Sequence, residues 1–222
     1  MPIFFVLRMK YHGKDKNYLP NILREWQKFF NFTPNFTHLY YKAMENFKDL
    51  VQKRRSVRKF TEQEITPEDL QTILRAALMA PTSKGTRAWH FVVVDDPVLL
   101  EKISLCRPLG SQFIAGAKVA IVVLGDREVT DAWCEDASIA AVTMQYQAAD
   151  LGLGSCWCQV RNRFMENGEP SDNVLRFLLR YPENLTAECV IGIGYPAIER
   201  KPQDEDKLKW ENVHVGPFPE EE

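Results

Sequence analysis

The spacing of apolar positions becomes regular only downstream of Met44. There Phe47, Leu50 and Val51 share one helical face and predict a helix running to about Arg54. A second helix is predicted from Thr66, whose hydroxyl can cap it. Pro67 suits the first turn, Asp69 stands three residues beyond the cap, and Leu70, Ile73, Leu74, Ala77 and Leu78 form the apolar stripe, which Pro81 ends. Residues 89–94 are rich in β-branched and aromatic side chains and read as a strand; Asp95-Asp96-Pro97 then turns the chain into a helix near 98–104. The unbroken apolar run 119–124 predicts a strand covered on both faces.

Residues 131–151 contain neither Gly nor Pro and predict a long helix closed by Gly152 and Gly154. Its Ala137, Ala140, Ala141 and Ala148 would permit close helix contact, and its mixed polarity predicts an interfacial position. Further on, 155–160 reads as a strand, 171–180 as an amphipathic helix capped by Ser171, and 188–194 as a strand stopped at Tyr195-Pro196. This loose alternation gives an α/β or α+β core.

The first 43 residues follow no such pattern, apart from a short helical spacing at 22–30. They hold eleven aromatics, and seven Lys/Arg against two Asp/Glu, a net +5 that leaves −7 for the other 179 residues. We read 1–43 as an appendage and 44–222 as the functional domain. The appendage is expected to be dispensable, as a translated leader upstream of a start at Met44; the rival reading is an arm that docks through its aromatics and whose deletion would cost folding.

A chain of 222 residues, 45% hydrophobic and 26% charged, can bury one sizeable core. Its five cysteines are odd in number and too sparse for a disulfide scaffold, which suits a reducing, cytoplasmic compartment. Cys156 and Cys158 lack a second ligand pair nearby, so no metal site is expected. A net charge of −2 and a pI near 6.1 argue against a nucleic-acid partner. The apolar runs are too short to span a membrane, so no membrane partner is expected.

Three segments carry candidate chemistry. Lys53-Arg54-Arg55-Ser56-Val57-Arg58-Lys59 places five basic residues around a hydroxyl at a helix end, a donor set that suits a phosphate, although such runs are more often a solvated face. The loop from Ala80 through Pro81, Thr82, Ser83, Gly85 and Arg87 to Trp89 offers polar donors to a heterocycle edge, or is a plain connection. In 151–159, two glycines precede Ser155-Cys156-Trp157-Cys158-Gln159; they either let backbone approach a flat ligand or merely stop a helix.

In this order, and with Ile193-Gly194-Tyr195-Pro196 and Lys201-Pro202 behind them, these segments resemble the nitroreductase family of FMN-dependent oxidoreductases over roughly residues 44–209. The resemblance implies an α+β sandwich: a central mixed, mainly antiparallel sheet flanked by helices, in an intertwined homodimer with FMN at the subunit interface. It makes Arg54 and Ser56 phosphate or ribityl contacts, counts Arg55 among the cofactor-binding residues and sets Arg58 near the flavin pyrimidine edge. It adds Pro81, Thr82, Ser83, Gly85 and Arg87 from the loop, and Cys156, Trp157, Gln159 and Val160 from the strand, with Gln159 and Val160 offering backbone donors. Arg200 and Lys201 fall near the family's C-terminal phosphate contacts. Gly85, Arg87 and Ala88 depart from the Asn, Gln and Pro of many members.

The implied activity is ping-pong hydride transfer from NADH or NADPH through FMN to a nitroaromatic, quinone or similar acceptor. The flavin carries the chemistry, so no protein residue is assigned as catalytic. A non-catalytic flavin-binding or storage protein would need the same clamp, and a Cys156/Cys158 redox pair is a further rival against buried structural thiols.

Overall fold

In the computed structural model, which describes residues 47–217, the two most apolar runs of the chain become the two central strands of a sheet. The strands are β1 (Trp89–Val94), β2 (Val119–Asp126), β3 (Gly154–Gln159) and β4 (Leu185–Gly194). They pair in the order β1-β2-β4-β3, each pair antiparallel. Every residue of β2 is buried, as its unbroken apolar pattern requires.

Helices cover both faces. They are α1 (47–53), α2 (Pro67–Leu78), α3 (Pro97–Ser104), α4 (Trp133–Asp150) and α5 (Ser171–Leu179). Alternation along β2 sends Val119, Ile121 and Val123 to one side, where they meet α2 and α4 through Ile73, Ala137, Ala141 and Met144. Ala120, Val122 and Leu124 go to the other side, with Leu100 and Ile103 of α3 and Leu175 of α5. Each fully buried Ile or Leu in these layers contributes about 1.5–3 kcal/mol, so the sheet forms the middle of a three-layer α+β sandwich. The sheet differs from the mixed one that the resemblance implies. Among the described residues the parallel element is a single bridge between Ser56 and Ser155, because residues 54–58 touch the β3 edge without running along it.

Local chemistry explains the boundaries. Thr66 caps α2 by accepting from the Asp69 N–H at 3.1 Å, and Asp96 caps α3 by accepting from Leu99 at 2.8 Å. Helix α2 stops at Leu78, with Met79 as its C-cap, before Pro81 is reached. Gly152 follows α4 in a left-handed conformation, φ 76°, open to glycine without strain. Ser171 does not cap α5. Pro170 precedes the first turn, and Ser171 is buried inside it with no hydrogen bond to its hydroxyl among the described residues. Asp172 organises that end instead, accepting from Tyr181 Oη and Ala187 N, both at 2.7 Å, and pairing with Arg176 at 2.7 Å.

The alanines of α4 serve close contact within the chain: Ala137, Ala140, Ala141 and Ala148 are fully buried among the sheet and α2. Its outward face carries Ile139 and Val142, 40% and 43% exposed. Residues 47–203 form one unit; residues 204–217 belong to another, with short 3₁₀ turns at Glu205–Lys207 and Trp210–Asn212. The expected appendage 1–43, including the helical spacing at 22–30, lies outside the described residues. Among the described residues no helix is long and apolar enough to cross a membrane.

Candidate functional site

Strand β3 lies at the edge of the sheet, and the basic segment closes against it. Val57 N donates to Ser155 O at 2.9 Å, and Ser56 bridges Ser155. Gly154 makes this approach possible: a Cβ there would stand 2.7 Å from the Val57 side chain. The close contact that this glycine permits is therefore with the chain's own residues 54–58, not with a ligand. Residues 56–57 are thereby pinned at Ser155 to the same strand that supplies Cys156, Trp157 and Gln159.

Arg54 lies 6.0 Å from the Tyr146 ring. Among the described residues neither Arg54 nor Arg58 forms an ion pair with a carboxylate. Two uncompensated guanidiniums beside a hydroxyl are a donor set suited to a phosphate and to an electron-rich ring edge. Arg55 is used differently. It donates to the carbonyls of Lys201 at 2.7 Å and Pro202 at 3.2 Å, so its guanidinium clamps the Lys201-Pro202 segment to the basic run. The Cys156 thiol records the local field: burial raises its pKa, while Arg58, the Ser56 hydroxyl and Arg54 pull it back down.

A pocket of about 480 Å³ opens at the end of β3, lined by Arg58, Trp157, Cys158 and Gln159 and by Arg107, Gly110, Arg161, Asn162 and Arg163. A polar network shapes it. Trp157 Nε1 donates to Gln159 Oε1 at 2.8 Å, and Gln159 Nε2 donates to Glu188 Oε1 at 3.1 Å. Glu188 has a side chain only 5% exposed, accepts from the Cys134 thiol at 3.2 Å and lies 3.9 Å from Arg161 Nε. It sits where the β2–β4 register slips, Val123 pairing with Cys189 and Leu124 with Ala187. This bulge turns Glu188 toward the site. The Glu188 carbonyl also accepts from Val160 N and Arg161 N, each at 3.1 Å. The Val160 donor that the resemblance assigns to flavin is thus already engaged.

The second predicted segment is not part of this pocket. Ser83 N donates to Asp136 Oδ1 at 2.8 Å, Thr86 Oγ1 lies 3.4 Å from Asp136 Oδ2, and Arg87 N donates to Thr82 Oγ1 at 3.1 Å. Lys84, Gly85 and Arg87 are left-handed, with φ of 53°, 69° and 52°. The loop from Pro81 to Arg87 is fixed onto the first turn of α4 by the buried Asp136.

Four of the five free cysteines are buried. Cys156 and Cys158 are both buried free thiols on β3; the Cys106 thiol and then burial push the pKa of Cys158 far up. Cys134 is raised to about 11 by burial and by the Glu188 carboxylate. Both remain protonated thiols at neutral pH. Among the described residues, no cluster of three or more His, Cys, Asp or Glu is placed to hold a metal ion. Sequence reading missed Arg107, Arg161, Asn162, Arg163, Asp136 and Glu188. The Arg161-Asn162-Arg163 turn directly follows the flavin-like strand, a position from which it could have been singled out.

The nitroreductase family profile matches residues 51–106 and 105–195. The chain belongs to the nitroreductase family. It is 34% identical over 176 residues to an Archaeoglobus fulgidus protein provisionally named NADH dehydrogenase/NAD(P)H nitroreductase, covering 77% of this chain and 98% of that one. A Bacillus subtilis FMN reductase (NADPH) is 26% identical over 175 residues, covering 69% of this chain and 67% of the relative. Among solved structures, an FMN-dependent nitroreductase from Clostridium difficile R20291 superposes with a TM-score of 0.74 at 47% identity, covering 76% of this chain and 98% of that one.

Proposed function

We propose that this chain is an FMN-dependent oxidoreductase that takes hydride from NADH or NADPH and passes it to a nitroaromatic, quinone or similar acceptor by a ping-pong cycle. The observation that carries the reading is the pair of guanidiniums, Arg54 and Arg58, that meet no carboxylate among the described residues and stand with Ser56 against a strand that ends in a pocket. The printed activities of the Clostridium difficile and Bacillus subtilis proteins, FMN-dependent nitroreductase and FMN reductase, support it.

Bound FMN would supply hydride acceptance and release. The chain's own groups bind and orient. Arg54 and Ser56 would hold the phosphate and ribityl end, joined by Lys201, which the Arg55 clamp brings to the same segment, and by its neighbour Arg200. Arg58 would offset negative charge at the pyrimidine edge. Trp157 and Gln159, tied to each other and to Glu188, would form a fixed wall with Cys156 beneath. Val160, its N–H engaged, would contribute packing alone.

The chain is proposed to act as a homodimer. The outward Ile139 and Val142 of α4 support this, as does the loop Pro81–Thr82–Ser83–Gly85–Arg87: it lines no part of the pocket of its own chain and would serve the flavin of a second copy. An obligate interface of this kind should bury more than about 2,000 Å². The test is the absorption spectrum of the purified protein, followed by anaerobic titration with each nicotinamide. Flavin bands that bleach with NADH or NADPH are expected; FMN-loaded protein that neither nucleotide bleaches would end the reading.

A further inference from the structure

The pocket contains more positive charge than the flavin reading uses. In that reading Arg54, Ser56 and Lys201, none of which lines the pocket, would clamp the phosphate, and Arg58, which does line it, would face the ring edge. Three further guanidiniums, those of Arg107, Arg161 and Arg163, line the same cavity, and no Asp or Glu lines it with them.

Arg107 is tied across the fold, whereas Arg161 and Arg163 stand exposed with nearby partners. Arg107 Nη1 donates to Gln159 O at 3.0 Å, and its guanidinium passes beneath Gly110, 3.7 Å from where a Cβ would stand. Arg161 lies 5.8 Å from the Trp133 ring and 3.9 Å from Glu188. Arg163 Nη1 donates to Asn162 O at 3.2 Å, across a left-handed Asn162 with φ 56°. Among the described residues, Arg107 and Arg163 pair with no carboxylate, and Arg161 shares Glu188 with Cys134 and Gln159. A cation whose hydrogen bonds go to carbonyls keeps its charge available, and clustered guanidiniums match the planar, two-oxygen geometry of a carboxylate.

We infer that Arg107, Arg161 and Arg163 form a subsite for an anionic group, and that the acceptor reduced at this site is a small aromatic carrying a carboxylate or a similar anion. The inference rests on the flavin reading for the word acceptor, but not for the anion site. The other source of the same chemistry is the 2′-phosphate that distinguishes NADPH from NADH.

The test uses the purified, FMN-loaded oxidised protein, titrated calorimetrically with 4-nitrobenzoate and with the neutral 4-nitrobenzyl alcohol. Nitrobenzoate should bind roughly tenfold tighter at low salt, and the advantage should collapse in a few hundred millimolar NaCl, where screening lengths fall to a few ångströms. Arg163→Gln should reduce the ratio of the two affinities about fivefold. Arg163 is exposed, so this variant remains informative if Arg107→Gln, which unties Gln159, fails to fold. Equal affinities for the two nitro compounds would overturn the inference. So would an Arg163→Gln protein whose KM for NADPH rises while that for NADH and the nitrobenzoate preference stay put, because the anion would then be the nucleotide's. Protein that retains no FMN yet still prefers nitrobenzoate would keep the anion site and end the flavin reading. FMN-loaded protein without the preference would do the reverse.

Discussion

Residues 54–58 and residues 82–87 carry the same side-chain chemistry, hydroxyls beside guanidiniums, yet spend it differently. The first segment satisfies its backbone against β3 through Val57 and Ser155, which leaves Arg54 and Arg58 without a carboxylate partner among the described residues. The second turns inward: Thr82 accepts from its own loop, and Asp136 accepts from Ser83 and Thr86. A segment whose backbone is satisfied elsewhere can offer its charges to a ligand. A segment that uses its hydroxyls to hold its own left-handed residues offers shape instead. Composition alone does not separate the two, and that is why both looked like equivalent donors.

The largest expected effect falls on the first segment. Removing one charge-assisted contact costs about 1.5–3 kcal/mol, so Arg54→Ala should weaken FMN binding roughly tenfold to a hundredfold in an equilibrium titration. Unchanged affinity would return the basic run to a solvated helix end and erase the contrast. The second segment should respond in stability. Asp136→Ala strands the Ser83 N–H and should cost about 1–3 kcal/mol in urea unfolding, while FMN affinity falls less than in Arg54→Ala. A variant that loses FMN first and stability little would show that the loop, too, is a donor.

The contrast marks how far the sequence could be read. Strands and helices were legible because β2 is an unbroken apolar run, because α2 announces itself through Thr66 and its stripe, and because Pro97 and Asp96 frame α3. The cap of α5 was misread. Ser171 is the commoner capping residue, but burial moved it inside the turn and gave the work to Asp172, whose partners Tyr181 and Ala187 are distant in sequence. The site followed the same rule. Arg54, Ser56, Arg58, Trp157 and Gln159 lie in two short segments that the family resemblance picks out. Glu188 and Arg107 could not be found that way, since one acquires its role from a register slip between strands and the other from a loop that folds back onto Gln159. Arg55 shows the converse: its type promised a phosphate contact, and only the tertiary structure reveals its commitment to the carbonyls of Lys201 and Pro202.

A smaller effect separates charge from polarity inside the first segment. Ser56→Ala removes a neutral hydroxyl, worth about 0.5–1.5 kcal/mol, and should weaken FMN several-fold at most. A loss equal to that of Arg54→Ala would mean that the hydroxyl supports the strand through the Cys156 thiol, a structural role that urea unfolding of the same variant would reveal.

The smallest change in affinity is expected at Arg58, where the difference between holding the cofactor and tuning it becomes measurable. Arg58 is exposed, so solvent screens its attraction for any bound anion and FMN retention should barely change. Its charge nevertheless reaches the strand beneath: after burial, Arg58 is the strongest influence on the Cys156 thiol, and it acts to lower the pKa. In Arg58→Ala the Cys156 pKa should therefore rise, and alkylation of that thiol at a fixed pH above neutrality should slow, because less thiolate is present. The same field should favour the reduced, more negative flavin. Its loss should lower the two-electron reduction potential by roughly 15–30 mV, where 30 mV corresponds to about 1.4 kcal/mol. Anaerobic potentiometry and thiol alkylation read the two effects independently. A slower Cys156 with an unmoved potential would place Arg58 beside the strand but away from the flavin edge, whereas a large loss of FMN without a potential shift would make Arg58 a second Arg54.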